Sequence, residues 1–255
     1  MQMQEECGEI KLNTDYSVYQ ISRDGSYEEK QISLLNEHVM EVSINGQVIT
    51  KMVCTPQYPV ELVLGWMYGE GFIDDSSEVE EISIDKRVQK VNVRLVCYPK
   101  KAKISLFPVA SMPCKLEWIW KLADLFAQDT PLHRCTSSTH SCFLMTGGEI
   151  IFQCEDIGRH NALDKTIGYA LRKNIDLAHC VIYSSGRMPI DMVKKVIRAG
   201  IPILISKEHP TGEAIELARK YRLILIGRCK NGKFLLYTGK FDVCQINKEQ
   251  MIYHK

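Results

Sequence analysis

The run Glu155-Asp156-Ile157-Gly158-Arg159-His160-Asn161-Ala162-Leu163-Asp164-Lys165 decides how the rest of the chain is read. Seven of its eleven residues carry side chains able to bind or move charge. The short apolar run from Glu149 to Gln153 suits a strand, and Ala162 to Leu171 repeats apolar residues at helical spacing. The charged run is therefore expected to fill a strand-to-helix turn. Backbone N–H groups and a helix N-terminus at such a turn favour anions such as phosphates. Gly158 would let a ligand approach the backbone closely. Asp156 and His160 could form an acid-base pair, or an ion-paired loop that fixes the turn.

Outward from this run, the chain beyond Leu116 alternates helix and strand patterns, which implies a mainly parallel sheet covered on both faces. Candidate strands are 149 to 153, 179 to 183, 202 to 205, 223 to 227 and 233 to 237. Candidate helices lie near 162 to 172, 190 to 199 and 212 to 221. The polar residues Ser185-Gly186-Arg187, Ser206 to Gly212 and Arg228-Cys229-Lys230 all follow strands. In an open parallel sheet the carboxyl ends of the strands share one crevice, where ligands bind. The expectation is a basic, hydroxyl-rich, glycine-lined pocket. His140 precedes an apolar run and reads as a hydrogen-bonded histidine at the core's edge.

The first part of the chain reads as α+β. Val39 to Ile44 and Gln47 to Val53 flank Asn45-Gly46, a two-residue hairpin turn, and a helix is expected from about Val60 to Tyr68. Ile82 to Ile84 and Val91 to Val96 resume strand-like alternation. Pro108 and Pro113 bracket a connecting loop ahead of Cys114, whose thiol would be accessible there and could ionise if basic groups approach. The units are drawn as an N-terminal α+β domain over 1–107, an exposed loop over 108–116 and an α/β domain over 117–255.

Lysine plus arginine number 32 against 31 acidic residues, so no protein-wide field recruits nucleic acid. The apolar runs are far shorter than the roughly 20 residues of a membrane helix. The acidic, polar N-terminus lacks a signal-peptide pattern, so a cytoplasmic location is expected. The ten cysteines include no CxxC pair, and most should be reduced, buried and inert. No metal-binding set is expected, and self-association into a homodimer is left open.

Together these residues resemble the formate dehydrogenase accessory sulfurtransferases called FdhD. The run at 155–165 is similar to that family's E-D-V-G-R-H-N-A-L-D-K, and Ser185-Gly186-Arg187 and Lys194 to Pro202 follow suit. Asn45-Gly46, Thr55-Pro56 and Gly65 to Ile73 resemble its N-G, T-P and G-F-x-x-x-E-G-I-I stretches. The resemblance implies a cytidine-deaminase-like three-layer C-terminal domain with a smaller α+β N-terminal domain. It implies a sulfurtransferase required for formate dehydrogenase activity, which carries sulfur as a cysteine persulfide from a cysteine desulfurase to the molybdenum cofactor. That cofactor, in its bis-molybdopterin guanine dinucleotide form, would be bound as cargo.

The cargo residues so implied are Asp156, Gly158, Arg159, His160, Asn161, Lys165, Ser185, Gly186, Arg187, Arg228, Cys229, Lys230, Asn231, Gly232 and Lys233, and the sulfur carrier is Cys114. Three departures stand out, one being that the tail after Tyr237-Thr238 lacks the family's proline. Ser111-Met112-Pro113-Cys114 keeps only the second cysteine of the family's CxxC, and Thr136-Ser137-Ser138-Thr139-His140 replaces its T-G-G-x-H. An alternative is a non-catalytic chaperone that binds the cofactor without moving sulfur. A zinc deaminase, the other reading of the implied fold, would need H-x-E and P-C-x-x-C, which the corresponding segments lack.

Overall fold

Asn45 and Gly46 both take left-handed backbone conformations, with φ of 48° and 80°, and close the expected hairpin. Its strands are β4 (His38–Ile44) and β5 (Gln47–Cys54), in a computed structural model that describes residues 2–5, 10–85, 87–97 and 104–240. The outer parts of the two units drawn from sequence, residues 6–9, 98–103 and 241–255 among them, lie outside the described residues. Three earlier strands are β1 (Gln2–Glu5), β2 (Asn13–Ile21) and β3 (Tyr27–Leu35), the last two pairing as a separate ribbon. With β6 (Val79–Ile84) and β7 (Lys90–Leu95), the first sheet has the order β1-β6-β7-β4-β5. Helix α1 (Pro59–Glu70) starts on a proline, ends at Gly71 with φ of 80°, and buries Leu62, Val63 and Met67 against this sheet.

The second half holds α2 (Leu116–Ala127), α3 (Pro131–Thr136), β8 (His140–Thr146), β9 (Glu149–Asp156) and α4 (Arg159–Arg172). Then come β10 (Cys180–Ser184), α5 (Ile190–Arg198), β11 (Ile203–Ser206), α6 (Gly212–Lys220), β12 (Ile224–Lys230) and β13 (Lys233–Thr238). The sheet order is β13-β12-β11-β10-β8-β9. Only β10, β11 and β12 run parallel, so the sheet is mixed where a mainly parallel one was expected. The cause is β8 and β9, a hairpin joined by Gly147-Gly148 that enters antiparallel to β10.

Alternation along β8 sends Cys142 and Leu144 into a core under α4, α5 and α6, and Phe143 and Met145 into a core under α2. The sheet is thus the middle of three layers. The 108–116 segment has no regular structure up to Leu116, yet it is only partly exposed, because Val109 and Met112 are buried. Among the described residues no helix is long and apolar enough to cross a membrane.

The two sheets meet through α1 and α4. A Cβ added at Gly168 would lie 1.8 Å from the Glu61 carbonyl oxygen, and one at Gly65 would lie 1.9 Å from that of Asp164. Backbone therefore touches backbone, and only glycine fits at either position. The contact is reinforced by Arg172 Nη1 donating to Glu61 at 2.6 Å. Because the clash is with main chain, Gly168→Ala must spread the helices; we expect a loss of about 3 kcal/mol or more in urea unfolding, with Gly212→Ala, which meets open space, close to neutral.

Candidate functional site

Strand β9 runs through Glu155 and Asp156, so the turn before α4 is only Ile157 and Gly158. Much of the charged run is consequently architecture. Lys165, fully buried, lies 2.6 Å from Asp156 Oδ2, itself fully buried, and donates to Thr55 Oγ1 at 2.7 Å and to the Thr55 and Glu155 carbonyls at 3.1 Å. Asp156 also accepts from the Thr55 and Gly158 backbone N–H groups and from Asn161 Nδ2. Asn161 Nδ2 further donates to the Val53 carbonyl. His160 pairs with Asp191 at 2.7 Å, and Asp164 takes two hydrogen bonds from Lys195.

The expected anion cradle at this turn is thus already occupied by the protein's own carboxylate, and Asp156 with His160 forms no acid-base pair. Asp156, Gly158, His160, Asn161 and Lys165 line neither of the two cavities at the strand ends.

Those cavities adjoin at the carboxyl ends of β10, β11 and β12. The first, about 490 Å³, is lined by Arg159, Ser185, Gly186 and Arg187 from the expected set, joined by His133, His140 and Lys207. The second, about 410 Å³, takes Cys229, Lys230, Asn231 and Gly232, with Trp120, Asp124 and Tyr183. Phe126, Asp129 and Lys207 belong to both. Lys207 Nζ stands 5.4 Å from the centre of the Phe126 ring, a cation–π contact at the boundary. Arg228 and Lys233 line neither cavity; Arg228 lies 4.0 Å from Glu208.

Arg159 is the one residue of the opening run that reaches the first cavity. Its Nε is buried and has no hydrogen-bond partner among the described residues, which leaves a charged donor open to an acceptor from a ligand. Gly186 makes room for it, since a Cβ there would sit 2.8 Å from Arg159 Cβ. His140 Nδ1 is 3.1 Å from Ser185 Oγ, so the histidine is hydrogen-bonded at the core's edge as expected, and it also lines the cavity. Sequence reasoning missed the contributions of α2 and α3, because neither was recognised as a helix beside the crevice. The apolar spacing Ile119, Leu122, Ala123, Phe126 was the available signal for α2.

Cys114 is half-buried against Met112, Ile119 and their neighbours, and burial pushes its thiol up to about 12. Among the described residues no basic group activates it, contrary to the expected accessible loop thiol. It lines neither cavity; along α2 from Leu116 the shared wall at Phe126 is about 15 Å away, while Trp120 of the second cavity is about 6 Å away. Cys54, Cys142, Cys154, Cys180 and Cys229 are buried and unpaired, as expected of inert thiols, and burial raises each of them.

The fold and site define a mixed α/β protein with a basic crevice at the carboxyl ends of its strands. The chain belongs to the FdhD/NarQ family, which matches residues 35–111 and 98–244. It is 37% identical to Protein FdhD of Methanocaldococcus jannaschii over 80% of this chain and 87% of that one. It is 28% identical to the sulfur carrier protein FdhD of Bacillus subtilis, over 83% of this chain and 92% of that one. A Desulfotalea psychrophila crystal structure, assigned as a formate dehydrogenase accessory protein, superposes with a TM-score of 0.81 at 25% identity. It covers 90% of this chain and 98% of its own.

Two measurements separate the architectural from the ligand-facing residues. Lys165→Met strands the Asp156 carboxylate in the interior, so chemical denaturation should show a loss of about 3–5 kcal/mol. Phosphate binding by the folded fraction should fall far less than it does in Arg159→Ala.

His140 is held below the usual histidine range by burial first, then by Arg159, His133 and Arg187, so it is neutral near pH 7. Protonation adds positive charge to the cavity wall, and anion affinity should therefore rise as pH falls through the His140 value, which lies below 6.5. Calorimetric titration with sulfate, whose charge is constant from pH 8 to 5, should show that rise, and His140→Phe should flatten it.

Proposed function

We propose that this chain is a cytoplasmic sulfur carrier for formate dehydrogenase maturation. It would take sulfur from a cysteine desulfurase as a persulfide on Cys114 and bring it to the molybdenum cofactor in its bis-guanine-dinucleotide form. The observation that carries the cargo half of this reading is the unpartnered, buried Nε of Arg159, beside Arg187 and Lys207. A phosphate oxygen is the acceptor that such a charged donor suits best.

The neighbouring cavity offers the rings of Trp120 and Phe126 for stacking, and the carboxylates of Asp124 and Asp129 to accept from the N–H edge of guanine. Both volumes fall in the range of about 300–1,000 Å³ usual for small-molecule sites. A cytidine-deaminase-like architecture for the C-terminal unit is supported by the order β9-β8-β10-β11-β12, with β8 antiparallel to β10 and helices on both faces.

For the sulfur half, the Cys114 thiolate attacks the outer sulfur of the donor's persulfide. The donor's S–S bond breaks, its cysteine leaves as a thiolate, and Cys114 holds the persulfide. No external electrons are needed for that exchange. Burial disfavours the thiolate, so the 108–116 segment has to lift from α2 when the donor docks.

The same burial favours a second reading, a chaperone that binds the cofactor and moves no sulfur. Persulfide-specific labelling after incubation with a desulfurase and cysteine separates the two. We expect label on the wild type, none on Cys114→Ala, and loss of formate dehydrogenase activation by that variant in a strain lacking its own carrier. Unlabelled wild-type protein that still binds guanosine diphosphate would establish the chaperone.

A further inference from the structure

We propose that Glu155 is a positioning residue that sets the basic cavity from behind, without touching a ligand. Its buried carboxylate accepts four hydrogen bonds: from Thr130 Oγ1 at 2.5 Å, His133 N at 2.7 Å, Leu132 N at 2.9 Å and Thr139 Oγ1 at 2.9 Å. Among the described residues no cation pairs with it. Neutral donors alone hold the charge, so each of the four is tied firmly to it. Three of them, Thr130, His133 and Thr139, belong to residues that line the cavity, while Glu155 itself does not.

The carboxylate also dictates proton positions. A carboxylate only accepts, so the Thr130 hydroxyl donates to Glu155, and the Ser141 hydroxyl 2.8 Å from Thr130 Oγ1 must in turn donate to it. Ser141 N donates to Ser185 Oγ, the hydroxyl that meets His140. On the other side, His133 Nδ1 lies 2.9 Å from the Thr139 carbonyl, which also only accepts, so Nδ1 carries the proton and Nε2 is the remaining ring nitrogen. One anion on β9 thereby fixes the start of α3, the approach to β8 and the orientation of His133.

The inference rests on the reading that this cavity takes phosphates, and the test keeps the two apart. Inorganic pyrophosphate is titrated calorimetrically into the full-length protein and into Arg159→Ala, Glu155→Ala, Glu155→Gln, His133→Ala and the Glu155/His133 double alanine variant, each first shown to be folded by circular dichroism. Arg159→Ala should weaken binding; if it does not, the phosphate reading fails. Glu155→Ala should weaken it roughly tenfold. Glu155→Gln, whose amide oxygen can keep the three donors at Oε1, should stay within about threefold of wild type. If Glu155 acts through His133, the double variant should be no weaker than Glu155→Ala within about twofold.

Wild-type affinity in Glu155→Ala overturns the proposal while leaving the phosphate reading intact, and fully additive losses in the double variant overturn the route through His133. Should Glu155→Ala not fold, Glu155→Asp, which withdraws the carboxylate by one methylene and keeps its charge, should bind at least about threefold more weakly. Unchanged affinity there overturns the proposal equally.

Discussion

The buried Lys165 ammonium is the interaction on which the rest of the structure depends. It reaches Asp156 at the end of β9 and Thr55 just beyond β5, so one side chain ties the second sheet to the first. A charge with no exposure is tolerable only when it is paired and its protons are used, and here four oxygens surround it. An apolar pair could be as stable but would not fix the orientation. The ionic joint sets α4 against α1 at the angle where Gly65 and Gly168 meet opposing backbone. It also leaves Arg159, at the first position of α4, projecting toward Gly186.

This explains which parts of the site were legible from sequence. The Asn45-Gly46 hairpin, α1, α4, α5, α6 and the parallel strands were readable because turn chemistry and apolar period are local properties. The loops after β10 and β12 were readable as lining because strand-end position follows from topology. The roles of Asp156, Asn161 and Lys165 were not, since a charged residue looks alike in sequence whether it meets solvent, a ligand or a partner 110 residues away. Thr55 and Gly65, quoted only as family-like letters, prove to be the other half of the same joint. The most recognisable stretch of the chain therefore marks how the two sheets are held more than where a ligand sits.

Glu155 and Asp156 show how adjacent acids divide this labour. In a strand, neighbouring side chains point to opposite faces. Asp156 turns to Lys165 and the first sheet, while Glu155 turns to α3 and the back of the basic cavity. A single strand end thus serves both the joint and the wall of the crevice. Among the described residues the first sheet contributes no lining to either strand-end cavity; its tie to this strand is through Asp156 and Lys165.

Helix α2 links the remaining two parts. Cys114 lies just before its first turn and Phe126 and Asp129 stand at its far end, where the two cavities share a wall. The helix is amphipathic, and Ile119, Leu122 and Phe126 hold it on the sheet through Phe143, Tyr183 and Ile205. About 15 Å of helix separates Leu116 from the shared wall at Phe126, while Trp120, only about 6 Å along α2 from Leu116, carries the second cavity back toward the cysteine's end. Moving all of α2 would forfeit the aromatic core beneath it, including the contacts of Phe126 with Phe143 and Tyr183. Moving only the irregular residues ahead of Leu116 forfeits the burial of Val109 and Met112 and the hydrogen bond from Val109 N to the Tyr221 carbonyl, and leaves that aromatic core in place. The cheaper motion is the one that frees the cysteine, and the same motion lets solvent reach the thiol and lowers the cost of its ionisation.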